Sequence, residues 1–164
     1  MMNAGPKWSR VSDAEMVRRL EKPAGKIHVV LDTDTYNEID DQFALSYMVR
    51  SDEKLEVKAI YAAPFSNHHS TGPADGMEKS YQEILKVLTL LDAEELKRVT
   101  YRGSTDYLPS EEEPVVSDAA KDLAGRAMHY SSEKPLYVVS IGAITNIASA
   151  ILMNPEIVNR MEVV

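Results

Sequence analysis

The sequence predicts an α/β fold with a mainly parallel sheet and flanking helices. Short runs rich in apolar residues, which are typical of buried strands, alternate along the chain with segments of helical periodicity. Regular strand–helix alternation implies right-handed crossovers and therefore parallel strands. At 164 residues, the chain has the size of one ordinary domain with a sizeable core.

Each element has its own local signal. Ser12 and Glu15 match a capping box, so a short first helix is expected to end near Glu21. Runs rich in apolar residues predict strands at residues 27–33, 55–63, 99–101, 136–141 and 161–164. Apolar residues three or four positions apart predict helices at residues 39–51, 77–91, 117–130 and 145–153. Tyr47 and Tyr81 occur at this helical spacing and are expected in the core.

Composition and charge exclude several classes of protein. The net charge of −8 and the pI near 5.0 argue against a nucleic-acid footprint or an anionic-membrane surface. The absence of cysteine excludes disulfides, thiolate metal sites and cysteine nucleophiles. The first 20 residues contain no apolar core of signal-peptide length, and no later run has the length of a membrane span. We therefore expect a cytoplasmic protein.

Four aspartates crowd the turn between the first strand and the second helix. They are Asp32, Asp34, Asp40 and Asp41. Like charges about 5 Å apart repel by roughly 3 kcal/mol per pair at an effective dielectric constant near 20. Such a turn must therefore either protonate some of its carboxyl groups or hold a cation. Because the nearby ligands are hard oxygens, the expected cation is Ca²⁺ or Mg²⁺.

Three segments of the chain are expected to share one edge of the sheet. The aspartate turn follows the first strand, a polar loop at residues 64–76 follows the second, and residues 142–146 follow the fourth. In open α/β sheets, ligands bind beyond the carboxyl ends of the strands. The sequence therefore predicts a ligand site at this edge.

Two motifs resemble those of a known family. Residues 32–41 contain Asp-Thr-Asp followed by Asp-Asp, and residues 140–148 read Ser-Ile-Gly-Ala-Ile-Thr-Asn-Ile-Ala. Both resemble signatures of the inosine–uridine-preferring nucleoside hydrolases, in the same order and at a similar separation. The resemblance implies a Rossmann-like, nucleoside hydrolase-like domain over residues 27–164, with residues 1–26 forming an arm and a short helix.

The resemblance also implies roles for individual residues in hydrolysis of the N-glycosidic bond of a nucleoside. Asp34 would be a calcium ligand and the general base for the attacking water, and Asp41 would be a bidentate calcium ligand. Asp40 would bind ribose hydroxyls, and the backbone carbonyl of Thr145 would complete this part of the metal shell. Asp32 would brace the turn from behind the ligands.

The chain departs from the family pattern at three points. Five residues, 35–39, separate Asp34 from the aspartate pair, whereas the family has three. Asn67 is the candidate for the asparagine that touches the ribose, but it lies in a loop longer than the family's. Family members are roughly twice as long, so we expect an incomplete N-terminal half, possessing little activity and forming a homo-oligomer through an exposed strand at residues 161–164.

Two other interpretations remain open from the residues alone. The turn around Asp32 also resembles that of haloacid-dehalogenase-like phosphatases, in which the first aspartate attacks phosphorus. Alternatively, the chain is a non-catalytic fragment that binds a sugar or nucleoside. His68 and His69 lie in a polar loop and are expected to be solvated rather than to protonate a leaving group.

Overall fold

The computed structural model describes residues 12–164 and shows a five-stranded, all-parallel sheet with helices on both faces. The strand order is β3-β2-β1-β4-β5, which confirms the predicted fold class and the central position of the first strand. The strands are β1 Ile27–Thr33, β2 Leu55–Ala62, β3 Thr100–Arg102, β4 Leu136–Ser140 and β5 Met161–Val163. Expectations for residues 1–11 lie outside the described residues.

Five α-helices and three 3₁₀ helices connect these strands. The α-helices are α1 Asp13–Arg19, α2 Ile39–Arg50, α3 Pro73–Leu90, α4 Asp118–Arg126 and α5 Thr145–Met153. The 3₁₀ helices are Glu94–Val99, Ala127–His129 and Pro155–Asn159. The Ser12 side chain accepts a hydrogen bond from the Glu15 backbone, as the capping motif predicts. Over residues 12–164, no helix has the length and apolarity needed to cross a membrane.

The core has two layers because both faces of the sheet are covered. Val29 and Leu31 of β1 pack on the face that carries α2 and α3. Val30, between them, packs on the face that carries α4 and α5. Burial on both faces explains why the middle of β1, residues 29–31, is a continuous apolar run rather than an alternating one.

Helix α2 packs against the rest of the protein through a different set of residues from the one that its apolar periodicity predicts. Its buried residues are Asp41, Leu45 and Met48. Ile39, Phe43 and Tyr47 instead are 69%, 68% and 76% exposed. The expectation that Tyr47 lies in the core is therefore wrong, whereas Tyr81 is partly buried against the core. The rotation of α2 brings the polar Asp41 side chain into the protein at the carboxyl edge of the sheet.

Candidate active site

The three predicted segments meet at the carboxyl edge of the sheet. In the parallel register, Asp32 of β1 lies between Tyr61 of β2 and Ser140 of β4. Beyond the strands, the Ile141 backbone N–H donates to the carbonyl of Asp32 at 2.9 Å. The aspartate turn, the loop after β2 and the segment after β4 therefore form one rim.

Asp34 lies just past the end of β1 and is almost fully buried, with 6% of its surface exposed. Its Oδ2 accepts a hydrogen bond from Asn37 Nδ2 at 2.9 Å. Gly142 approaches so closely that a Cβ there would lie 3.0 Å from Asp34 Oδ1. Burial raises the pKa of Asp34, and the charges of Glu38 and Asp40 act in the same direction.

Asp41 is equally buried, although it belongs to the first turn of α2. Its Oδ1 accepts a short hydrogen bond from Thr33 Oγ1, which fixes the carboxylate against the end of β1. Burial and then the charge of Asp34 raise the pKa of Asp41 to about 6, against the lowering effect of the Thr33 bond. Within residues 12–164, no Lys, Arg or His forms an ion pair with Asp34 or Asp41.

Asp32 lies beneath these two carboxylates and has no exposed surface. Its Oδ1 accepts from Asn146 Nδ2 at 2.8 Å, and its Oδ2 accepts from Ser140 Oγ at 3.4 Å. Burial raises the pKa of Asp32 to about 7, although both hydrogen bonds lower it. A carboxylate buried in this way cannot reach a phosphate ester, which argues against a phosphatase nucleophile at this position.

Asn146 is the residue that joins the segments beneath the site. Besides Asp32, its Nδ2 donates to the carbonyl of Ala62 at 3.1 Å. Its Oδ1 accepts from the backbone N–H of Ser104 at 2.7 Å and from the Ser104 hydroxyl at 2.9 Å. Gly103 leaves room for this amide, because a Cβ there would lie 2.5 Å from Asn146 Nδ2. Sequence reasoning missed this role, since Thr145-Asn146 alone is typical of an ordinary helix start.

Asn37, from the five-residue segment between Asp34 and the aspartate pair, connects two predicted site residues. It donates to Asp34 through Nδ2 and accepts from Asn67 Nδ2 through Oδ1. Asn67 is exposed, and its own Oδ1 accepts from the His69 backbone at 2.8 Å. The side chains of His68 and His69 are also exposed, as predicted for solvated residues. The longer turn therefore brings Asn67 into the network of Asp34.

The remaining two predicted residues occupy the rim in different ways. Asp40 is exposed at the N-terminus of α2, where the helix dipole favours a negative charge. Thr145 is buried at the first position of α5. In the sequence it lies between Gly142, whose backbone passes close to Asp34, and Asn146, which donates a hydrogen bond to Asp32. Thr145 is therefore on the same edge as the aspartates.

The donor set fits a hard cation but is small. Asp34 and Asp41 are buried carboxylates whose negative charges repel each other and which lack a cationic partner in the described chain. Oxygen donors of this kind suit Ca²⁺ or Mg²⁺. Among residues 12–164, however, no group of three His, Cys, Asp or Glu side chains is placed to hold a metal ion. Backbone carbonyls and water would have to supply the remaining ligands.

Comparisons with known proteins agree with the motifs and the fold. The sequence profile described as "Inosine-uridine preferring nucleoside hydrolase" matches residues 29–164. The chain belongs to this family. A solved structure of a plant nucleoside hydrolase, the PpNRh1 enzyme, matches with a TM-score of 0.58 and 19% sequence identity.

The alignment with the plant structure covers the two chains to different extents. The alignment covers 83% of the present chain but only 46% of the plant chain, so the nucleoside hydrolase-like fold here spans about half of that relative. At 19% identity the likeness concerns the fold alone. Among curated proteins, none matches the chain significantly.

Proposed function

We propose that the protein hydrolyses the N-glycosidic bond of nucleosides and releases free base and sugar. Family membership supports the reaction class. The observation that carries the proposal is the pair of buried carboxylates, Asp34 and Asp41, which have no cationic partner within residues 12–164. A fold normally pairs or neutralises such groups, so their retention at a ligand-binding edge favours a function.

The described residues suit the charge that develops during this reaction. Cleavage of a glycosidic bond passes through an oxocarbenium-like state, which nearby carboxylates stabilise. Asp34 would accept the proton of the attacking water, because the Asn37 hydrogen bond holds its carboxylate in one orientation. Asp40 is exposed beside it and would accept hydrogen bonds from the sugar hydroxyls. Asn67, linked to Asp34 through Asn37, would contact the sugar from the neighbouring loop.

Calcium is part of the proposal, with Asp34, Asp41 and the Thr145 carbonyl as its protein ligands. Bound there, the cation would lower the pKa of a water molecule and so supply the nucleophile near neutral pH. Asp32 would support the ligands from below through Asn146, which also ties the loops after β2 and β3 to the same position. In this proposal, the residues of this chain would supply the base, the sugar contact and the floor of the site.

The test compares two aspartate-to-asparagine variants for release of free base from inosine and uridine in the presence of calcium. We expect slow but measurable release by the unmodified chain at high protein concentration. Asp34→Asn should abolish it, because the amide cannot accept the proton. Asp52→Asn is the matched control, since Asp52 is exposed in the turn after α2 and should leave the rate unchanged.

The possible outcomes separate the competing functions. Loss of release in Asp34→Asn with an intact circular dichroism spectrum supports the proposal. Retention of near-normal release by Asp34→Asn would identify another base, with Asp40 the first to examine. Nucleoside binding without any release, measured by calorimetry, would contradict catalysis and establish a binding protein instead.

A further inference from the structure

A cavity lies at the amino-terminal end of the strands, opposite the aspartate rim. It has a volume of about 670 Å³ and is bordered by β1, β2, the segment before β4 and the residue before β5. Its charged lining is entirely cationic or titratable to cationic: Lys58, Arg126, Lys134, Arg160, His28 and His129. No Asp or Glu lines it. In a chain with 26 acidic and 18 basic residues, this is the reverse of the average surface.

The ion pairs around this cationic cavity leave an excess of positive charge. Lys58 pairs with Glu56, and Arg126 forms a bidentate pair with Asp122. Within residues 12–164, Lys134 and Arg160 form no ion pair. Four permanent cations and the two carboxylates paired with them give a formal charge of +2. Glu133, which accepts a hydrogen bond from Ser131 at the edge of the cavity, reduces the local excess to about +1.

Two features of the backbone hold this lining in place. Val29 of β1 pairs with Val57, but Val30 pairs with Ala59, so Lys58 is the extra residue of a β-bulge. Bulges are uncommon between parallel strands and serve to redirect a side chain. On the other side, Arg160 Nη1 donates to the carbonyls of Met128 and Tyr130, at 3.3 and 2.9 Å. The backbone therefore positions Lys58 and Arg160, whereas Lys134 lies in the loop before β4.

We propose that the cationic cavity binds the phosphate group of a small phosphorylated molecule, such as a sugar phosphate. A phosphate monoester carries a charge of about −1.5 to −2 at neutral pH, which is opposite in sign to the local excess. Arginine and lysine donors are the groups that recognise phosphate oxygens. The volume falls in the range of about 300–1,000 Å³ that is typical of small-ligand sites. The cavity lies away from the aspartate rim, so phosphate binding does not depend on the hydrolase proposal.

The test is calorimetric titration of the full 164-residue chain, at fixed ionic strength and with a chelator present. The probes are inorganic phosphate and ribose 5-phosphate, with ribose as the uncharged control. We expect both phosphates to bind in the millimolar range or tighter and ribose to produce no comparable heat. If inorganic phosphate binds and ribose 5-phosphate does not, the cavity accepts the free ion but not the ester. That result would overturn the assignment to a sugar phosphate.

Variants then locate the site. Lys134→Gln and Arg160→Gln should each weaken phosphate binding roughly tenfold, because each removes one charge-assisted contact. Lys121→Gln makes the same charge change at an exposed position on α4 outside the cavity, so it should have no effect. Arg160 also donates hydrogen bonds to two backbone carbonyls, so Arg160→Gln could unfold the chain. In that case Lys134→Gln alone still tests the proposal.

Three results would overturn the proposal. These are the absence of binding by either phosphate, equal weakening by Lys121→Gln and Lys134→Gln, and unchanged binding in Lys134→Gln. Asp34→Asn should leave phosphate binding intact, because Asp34 lies at the other edge of the sheet. The phosphate proposal can thus fail while the hydrolase proposal stands, and the reverse also holds.

Discussion

Two regions of the molecule hold their carboxylates in opposite ways. The half-buried Asp122 has a cationic partner, whereas the buried Asp34 and Asp41 have none within residues 12–164. Asp122 of α4 accepts two hydrogen bonds from Arg126, at 2.7 and 2.9 Å, and one from Tyr61 Oη at 2.6 Å. Asp34 and Asp41, at the carboxyl edge, accept only neutral donors. The first arrangement ties α4 to the sheet, whereas the second leaves negative charge uncompensated. The comparison indicates that the aspartate rim is not organised for stability.

The largest expected effect contrasts the same substitution in both regions. Asp122→Asn should lower the free energy of unfolding by about 2–3 kcal/mol, because it leaves the Arg126 guanidinium without its counter-charge. Asp41→Asn should lower it by at most about 0.5 kcal/mol or raise it, since the amide oxygen still accepts from Thr33 and the repulsion with Asp34 disappears. Urea unfolding without calcium measures both. Equal destabilisation by the two variants would remove the distinction between the regions.

The free energy of unfolding should depend on pH through Asp32, the buried carboxyl group beneath the aspartate rim. The pKa of Asp32 is raised by burial to about 7 in the folded chain, from an ordinary value of 3.8. Between about pH 4 and pH 7, the folded state holds a proton that the unfolded state has released. The stabilisation from this proton is therefore complete below pH 4 and is lost as the pH rises towards 7.

Replacement by asparagine isolates this contribution. The free energy of unfolding of Asp32→Asn relative to the unmodified chain should rise from pH 4 to pH 7 and level off above it. Asp52→Asn, on the exposed turn, should show no such trend. Urea titrations across this range in the presence of a chelator provide the measurement. A flat difference curve for Asp32→Asn would mean that its carboxyl group ionises normally.

A smaller effect is expected from the residue that orients Asp34. Asn37→Ala removes the hydrogen bond to Asp34 Oδ2 and should lower kcat about three- to tenfold, with little change in KM. Asn67→Ala should act chiefly on KM, because Asn67 is proposed to contact the sugar. Steady-state nucleoside hydrolysis separates the two. A change confined to KM in Asn37→Ala would assign Asn37 to substrate binding rather than to positioning.

The smallest effect concerns calcium itself. Two carboxylates and one carbonyl supply about four oxygen contacts if Asp41 is bidentate, whereas Ca²⁺ prefers about six to eight. We expect a dissociation constant in the millimolar range, so calcium at that concentration stabilises the chain by only about 0.4 kcal/mol. Thermal unfolding should show a shift of roughly 1–2 °C, which Asp41→Asn removes and Asp52→Asn retains. Micromolar binding would show that this rim is a sufficient calcium site.

The arrangement of strands and helices follows closely from local patterns. The predicted limits of the first strand and of the helix at residues 145–153 coincide with those of β1 and α5. For the strand, this agreement has a physical basis, since burial on both faces selects a continuous apolar run such as residues 29–31. The helix predicted for residues 117–130 ends instead at Arg126 and continues as a 3₁₀ turn. Helix ends depend on local hydrogen bonds that a periodic pattern does not contain.

The positions of the candidate site residues could be predicted where they belong to a sequence motif. They could not be predicted where they depend on packing between distant segments. The common edge of Asp34, Asp41 and Thr145 follows from strand order, because parallel strands end on one side of a sheet. The hydrogen bonds of Asn146 to three different segments could not be inferred, because they join residues far apart in sequence. The same holds for the four permanent cations of the cationic cavity, which come from separate elements.

The sequence by itself determined the α/β class, the central first strand and the edge at which the aspartates gather. Those features depend on periodicity and on the order of elements, both of which are local properties of the chain. Only the tertiary structure decided that α2 turns Asp41 inwards and Tyr47 outwards, that Asn37 joins Asp34 to Asn67, and that Lys58 occupies a bulge. Helix rotation and strand register are set by packing between distant segments, so no short stretch of sequence specifies them.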